Sequence, residues 1–263
     1  MQQLDHDGVA LAYEEAGNGD PPMLLVHGWC CDHTYFTPQF EHFRHKHRVV
    51  AVDLRGHGQS DKPQQDYSMA MFADDLAWLC EQLEVKNPVI IGHSMGGVIA
   101  TALAAQHPDL PAAIIAIDSP ILLSQELSDR MKSLAETLWS PRYIEVARQV
   151  VDAMFLPTDD QQRKAQIVES MTSAPQHVMA SSMEQTSSWD GVSALSACKV
   201  PTLLISAGQY AVDVNRLCEL CPQLVFGQTV GAGHFNQLEV PGQVNTMIER
   251  FIDMSALHSN VTV

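Results

Sequence analysis

The sequence predicts an α/β fold, in which a mostly parallel central sheet carries helices on both faces and an inserted helical cap. Short, wholly apolar runs recur along the chain, helical patterns separate them, and one long stretch interrupts this alternation. Strands that are buried on both faces of a parallel sheet have continuous apolar runs. Strands that alternate with helices form right-handed crossover units, which place helices over both faces of the sheet.

The strands are predicted from runs of three to eight residues that are bounded by turn residues. Residues 9–15 alternate loosely and lead into a Gly-Asn-Gly turn at 17–19. The following apolar runs occupy residues 23–26, 49–52, 89–91, 113–117 and 202–205, and a last strand is predicted at 223–230.

Two helical patterns lie between these strands. Residues 71–83 place four large apolar side chains on one helical face. Residues 95–106 are rich in Ala and Gly, and Pro108 ends the pattern because proline cannot continue a helix.

The alternation breaks between residues 119 and 195, where helical patterns continue and no strand is predicted. We therefore predict a core formed by residues 1–118 and 196–263, with residues 119–195 as a helical cap. Such an insertion is expected at the carboxyl ends of the strands, where ligands enter open α/β sheets.

The composition disfavours several kinds of partner. The formal net charge is −16, and an acidic surface repels nucleic acid and anionic lipid head groups. No apolar segment approaches the ~20 residues that a membrane-spanning helix needs. The first residues lack the basic and then apolar pattern of a secretory signal, so a cytoplasmic location is the expectation. The oligomeric state has no signal in the sequence.

A G-x-S-x-G motif at residues 92–96 gives the sharpest chemical signal. It follows an apolar strand and precedes a helix, which is the setting of a nucleophilic serine on a tight strand-to-helix turn. Gly92 and Gly96 allow that turn because larger side chains would clash there. Ser94 is therefore the predicted nucleophile.

A serine hydroxyl needs a neighbouring base to react at neutral pH. His234 lies between Gly233 and Phe235, in a loop that follows the last predicted strand. A nucleophile, then an acid, then a histidine is the chain order of this kind of site. His234 is therefore the predicted base.

Four segments together resemble the α/β-hydrolase superfamily, in its serine-dependent, esterase-like branch with a helical cap. They are His27-Gly28-Trp29, the block Asp-Leu-Arg-Gly-His-Gly-Gln-Ser at 53–60, the serine motif, and Gly233-His234. The resemblance covers nearly the whole chain. It implies cleavage of small esters, lactones or thioesters through an acyl-enzyme, without a metal or a cofactor.

The resemblance also implies an oxyanion hole that is formed by the main-chain amides of Trp29 and Met95. Loss of one such donor typically costs about 3 kcal/mol of barrier. Haloalkane dehalogenases and epoxide hydrolases of this superfamily carry aspartate at the nucleophile position. Ser94 therefore disfavours those two activities.

The acid that should orient His234 departs from the usual family pattern. Relatives commonly place an aspartate three residues after a glycine that follows the next-to-last core strand. Here Ala211 stands three residues after Gly208, and the nearest acid is Asp213. Some relatives place the acid directly after the strand that follows the serine helix, where this chain has Asp118. Asp118 is the preferred acid and Asp213 the alternative.

The predicted cap contains methionines and aromatic residues, which suit a pocket for a small apolar or aromatic substrate. The same residues could instead only pack the cap helices against one another. The residues predicted to contact substrate are Trp29, His93, Trp139, Met154 and Phe235.

Two other functions remain open from the sequence. The first is a cofactor-free 2,4-dioxygenase of the 3-hydroxy-4-quinolone type, which the chain resembles at Gly28-Trp29-Cys30, at His93-Ser94 and at Asp118. That branch has a histidine where this chain has Met95. The second is a non-catalytic ligand receptor, which the missing acid at Ala211 suggests.

Overall fold

The structure is a computed structural model that describes residues 1–208 and 212–255. Within these residues, eight strands form one sheet in the order β1-β2-β4-β3-β5-β6-β7-β8. The first two strands run antiparallel to their neighbours, and the others pair in parallel. The strands are β1 (Gln2–His6), β2 (Val9–Ala16), β3 (Met23–Val26), β4 (Val49–Val52), β5 (Val89–His93), β6 (Ala113–Ile117), β7 (Thr202–Ser206) and β8 (Leu224–Gln228).

The helices of the described residues cover both faces and one end of this sheet. A 3-10 turn at His33–Phe36 leads into the first of them. The helices are α1 (Thr37–Phe43), α2 (Met69–Gln82), α3 (Met95–Gln106), α4 (Gln125–Leu138), α5 (Tyr143–Asp152), α6 (Gln161–Thr172), α7 (Gln176–Ser187), α8 (Gly191–Ala197), α9 (Val214–Leu220), α10 (Asn236–Glu239) and α11 (Pro241–Met254).

Alternate residues of the central strands point to two separate hydrophobic clusters. In β3, for example, Leu24 and Val26 join the cluster that contains α2 and α3, whereas Met23 and Leu25 join the cluster that contains α1 and α11. Successive strand side chains point to opposite faces of a sheet. The predicted mostly parallel sheet with helices on both faces is therefore confirmed.

The stretch between β6 and β7 contains α4 to α8 and no strand. The last of these helices runs from Gly191 to Ala197 and so crosses the boundary predicted at residues 195 and 196. Leu195 is buried in the same cluster as residues of α2 and α3. We keep the name "cap" for residues 119–195, with α8 as the element that joins the cap to the core.

In the described part of the chain, no helix combines the length and the apolar character that crossing a membrane would require.

Candidate active site

Ser94 stands on a strained turn between β5 and α3. Its backbone has φ 53° and ψ −121°, a left-handed conformation that a non-glycine residue rarely adopts. A methyl group added to Gly92 would lie 2.2 Å from the carbonyl oxygen of Gly96, and one added to Gly96 would lie 2.1 Å from that of Val26. The two glycines of the motif are therefore required by the packing of the turn.

Asp118 and His234 form a buried pair at the carboxyl end of the sheet. Oδ2 of Asp118 lies 2.7 Å from Nδ1 of His234. Its other oxygen accepts a hydrogen bond of 2.7 Å from the amide of Ala207, at the end of β7. Because an ionised carboxylate only accepts hydrogen bonds, Nδ1 carries the proton and the lone pair of His234 is on Nε2.

The environment of Asp118 keeps its carboxyl group ionised. Burial alone would raise the pKa of Asp118, but the hydrogen bond and the charge of His234 and the amide of Ala207 outweigh it, so the pKa lies below its ordinary value. A carboxylate in this position can orient an imidazole and stabilise it when it takes up a proton.

The alternative acid, Asp213, lies elsewhere. It is exposed and caps the N-terminus of α9, where its side chain accepts a hydrogen bond of 3.0 Å from the amide of Arg216. The structure therefore brings Asp118, and not Asp213, against His234. Ala211, which stands at the position where relatives commonly have the acid, lies outside the described residues.

The loop that follows β3 lies directly beside the serine. A methyl group added to Gly28 would be 3.0 Å from Cβ of Ser94. Trp29 comes next in this loop, and Met95 opens the helix on the other side of the serine. The two amides predicted to form the oxyanion hole thus belong to residues that flank Ser94. The indole N–H of Trp29 donates a hydrogen bond of 2.9 Å to the carbonyl of Met179, in α7 of the cap.

His93 is placed differently from its predicted role as a substrate contact. Its side chain is 0% exposed, and Nε2 lies 2.9 Å from the main-chain carbonyl oxygen of His234. Burial and the neighbouring charge of His234 lower the pKa of His93 to about 3. The ring is therefore a neutral spacer between the serine turn and the His234 loop, because a carbonyl neighbour takes up its only N–H.

The other predicted substrate contacts divide into two groups. The carbonyl of Met154 accepts a hydrogen bond of 3.0 Å from the amide of His234, and Phe235 is buried against Phe155 at a ring distance of 5.1 Å. Both residues thus adjoin the His234 loop. Trp139, in contrast, is 50% exposed, and its indole N–H donates to Glu184 within the cap.

Asp159 is a supporting residue that was not predicted from the sequence. It lies buried in the turn before α6 and accepts hydrogen bonds from the amides of Gly233 (3.3 Å) and Leu156 (2.7 Å). The cap therefore supports the loop that carries His234. The hydrogen bond between Asp159 and Gly233 joins residues 74 positions apart. A local sequence pattern therefore could not predict it.

Among the described residues, one group could supply three metal-ligand atoms within 4.8 Å of one another: Asp32, His33 and Asp53. Their atoms already have protein partners. Asp53 accepts from the amide and Nδ1 of His33 and from the amide of Gln59. Asp32 accepts from the amide of Thr34. The group acts as a clamp between the loop after β3 and the block at 53–60.

The comparisons with known proteins agree on the fold. A family model described as the alpha/beta hydrolase fold matches residues 21–241. The chain is 33% identical over 132 residues to a 2-(acetamidomethylene)succinate hydrolase of Mesorhizobium japonicum, a match that covers 50% of this chain and 47% of that protein. It is 35% identical over 121 residues to epoxide hydrolase 4 of Mus musculus, which covers 45% and 34%. The matches span less than half of each of these relatives.

Several solved structures match over nearly the full chain, among them two that are described as an esterase and a putative aryl esterase. A thermophilic esterase from Thermogutta terrifontis, with malate bound, is 27% identical with a TM-score of 0.86, and the match covers 98% of this chain and 100% of that chain. A putative aryl esterase from Burkholderia cenocepacia is 25% identical with a TM-score of 0.82, and the match covers 95% and 96%.

Proposed function

The chain belongs to the α/β hydrolase fold family, and on that premise we propose that it is a serine hydrolase for small apolar or aromatic esters, lactones or thioesters. One observation carries the proposal. His234, with its Nδ1 proton held by Asp118 at 2.7 Å, lies in a loop that is hydrogen-bonded to the residue directly before Ser94.

The reaction begins with attack by the Ser94 hydroxyl on the carbonyl carbon of the substrate. Nε2 of His234 takes the hydroxyl proton, and Asp118 stabilises the imidazolium that forms. The negative charge that develops on the carbonyl oxygen is bound by the amides of Trp29 and Met95. The acyl group is then transferred to the serine, and His234 gives its proton to the leaving alcohol or thiol.

Water completes the cycle. It attacks the acyl-enzyme while His234 again takes the proton, and the acid product leaves as Ser94 regains its hydrogen. The chemistry needs one nucleophile, one base, one carboxylate and two amides. The chain has a candidate for each of them.

The similar structures support ester chemistry in particular. The two similar structures reported above are described as an esterase and a putative aryl esterase, at 27% and 25% identity. The partial relatives include an epoxide hydrolase. Ser94 argues against epoxide opening here, since the epoxide hydrolases of this superfamily use aspartate at the nucleophile position.

The proposal is tested with 4-nitrophenyl acetate and a fluorophosphonate probe. We expect the wild-type chain to hydrolyse the ester and to be labelled on Ser94, and Ser94→Ala to lower kcat at least about 1,000-fold. His234→Ala should slow labelling to a similar extent. Ser196→Ala changes an exposed serine on α8 and serves as the matched control.

Full hydrolysis by Ser94→Ala would exclude the proposal. The two alternatives from the sequence have their own signatures in the same experiment. Oxygen uptake with a 3-hydroxy-4-quinolone, insensitive to the fluorophosphonate, would indicate the dioxygenase. Folded wild-type protein that is neither labelled nor active would indicate a receptor.

A further inference from the structure

We propose that His93 is a positioning residue, whose Nε2–H holds the main chain of His234 against the nucleophile turn. The inference rests on the proposed function, because it assigns a role relative to Ser94 and His234 acting as nucleophile and base. His93 itself does not touch the substrate.

The direction of the hydrogen bond follows from its partner. Nε2 of His93 lies 2.9 Å from the carbonyl oxygen of His234, and a carbonyl oxygen only accepts. Nε2 therefore carries the proton. Nδ1 is buried without a hydrogen-bond partner, and a methyl group added to Gly28 would lie 3.2 Å from it. The ring is thus held in one tautomer between the loop after β3 and the His234 loop.

The hydrogen bond holds the main chain of His234 to the core. His234 lies between β8 and α10, outside any helix or strand. The described hydrogen bonds of the Gly233 and His234 amides lead to Asp159 and Met154, which both belong to the cap. The carbonyl of His234 is held by the core through His93, and its side chain by the core through Asp118.

The residue that donates this hydrogen bond is covalently bonded to the nucleophile, so the contact places His234 relative to Ser94. His93 is the last residue of β5, and Ser94 follows it directly. The donor and the nucleophile therefore move as one rigid unit, and the base is placed relative to that unit. A displacement of about 1 Å between reacting groups can cost roughly 100-fold in rate. A cap that shifts when substrate enters would leave the base in place as long as this contact holds.

A purely structural role for His93 would need only its volume, since its ring also packs against Phe235 at 5.4 Å. Two substitutions separate the roles. His93→Phe keeps an aromatic ring but removes the donor. His93→Gln places an amide N–H near the position of Nε2 and so keeps the donor. The readouts are kcat and KM for 4-nitrophenyl acetate, the rate at which a fluorophosphonate labels Ser94, and the melting temperature.

We expect His93→Phe to lower kcat and the labelling rate about 10- to 100-fold while KM changes less than about twofold. His93→Gln should restore both rates to within about fivefold of the wild type. Equal rates in the wild type and His93→Phe would overturn the proposal, and so would equal losses in both variants. In either case, loss of activity in Ser94→Ala would leave the proposed function standing.

A measurement on the wild type keeps the inference testable if the variants do not fold. With ¹⁵N-labelled histidine, the His93 ring should give the spectrum of a neutral imidazole protonated on Nε2, at neutral pH and without substrate. A ring that is protonated on Nδ1, or that is charged, could not be held as described and would refute the inference. This spectrum does not depend on whether the chain hydrolyses esters.

Discussion

The carboxylate of Asp118 meets the imidazole of His234 at 2.7 Å although 116 positions separate the two residues in the chain. The sheet order explains the contact. β6 lies between β5 and β7, so its end faces both the serine turn and the start of the loop after β7. The amide of Ala207 supplies the second hydrogen bond to the same carboxylate. The carboxylate at the end of β6 is therefore held by the end of β7 on one oxygen and by His234 on the other.

Asp118→Asn should retain the shape of the site and lose most of its activity. An amide in this position can present its N–H₂ group to Nδ1 and so favour the wrong tautomer of His234. We expect kcat for 4-nitrophenyl acetate to fall about 10³- to 10⁴-fold. Asp213→Asn, which keeps an oxygen acceptor for the amide of Arg216 at the N-terminus of α9, should leave kcat within about twofold. A large loss with Asp213→Asn and none with Asp118→Asn would reverse the assignment of the acid.

The candidate residues of the site could be predicted from the sequence, and most of the contacts between them could not. The turn at Ser94 is dictated by glycines two residues to either side, so the motif alone reveals it. Asp118 was preferred over Asp213 from the resemblance, but its contact with His234 depends on the strand order, which no single segment encodes. β1 was not predicted either, because four of its five residues are polar and only Leu4 is apolar.

Contacts between the cap and the core were equally invisible in the sequence. Trp29 was predicted from the resemblance to line the site, yet its indole N–H is paired with Met179, 150 positions away. His93 was predicted to contact substrate, but the neighbouring loop occupies its only N–H. Adjacency in sequence shows that a side chain is near the serine and does not show which way it points.

Trp29→Phe tests the connection between the cap and the oxyanion loop. The substitution keeps an aromatic ring, removes the indole N–H and leaves the carbonyl of Met179 without that donor. A typical hydrogen bond contributes about 1 kcal/mol, so we expect a lower melting temperature and a kcat/KM reduced about three- to tenfold. Trp139→Phe is the matched control, because that ring is half exposed and bonded only within the cap. If both variants lose activity equally, the cap contact of Trp29 has no special role.

Gly28→Ala tests the close approach of the oxyanion loop to the nucleophile. The added methyl group would lie 3.0 Å from Cβ of Ser94 and 3.2 Å from Nδ1 of His93, which is tighter than an ordinary contact. We expect kcat to fall about tenfold or more as the loop shifts away from the serine. Gly242→Ala adds a methyl group that meets nothing within 4 Å in α11. That control should keep full activity and unfold at the same or a higher temperature.

His57 should make the stability of the fold depend on pH. Burial and repulsion by the neighbouring His27 lower the pKa of His57 from 6.5 to about 3. The unfolded chain therefore binds a proton at this residue at a higher pH than the folded chain does. The stabilisation is fully present above pH 6.5 and is lost progressively as the pH falls from 6.5 towards 3. We expect His57→Gln to reduce the slope of unfolding free energy against pH by about 1.4 kcal/mol per unit within that window. Urea unfolding at a series of pH values measures the slope, and identical slopes in the wild type and the variant would show that His57 takes up its proton equally in both states.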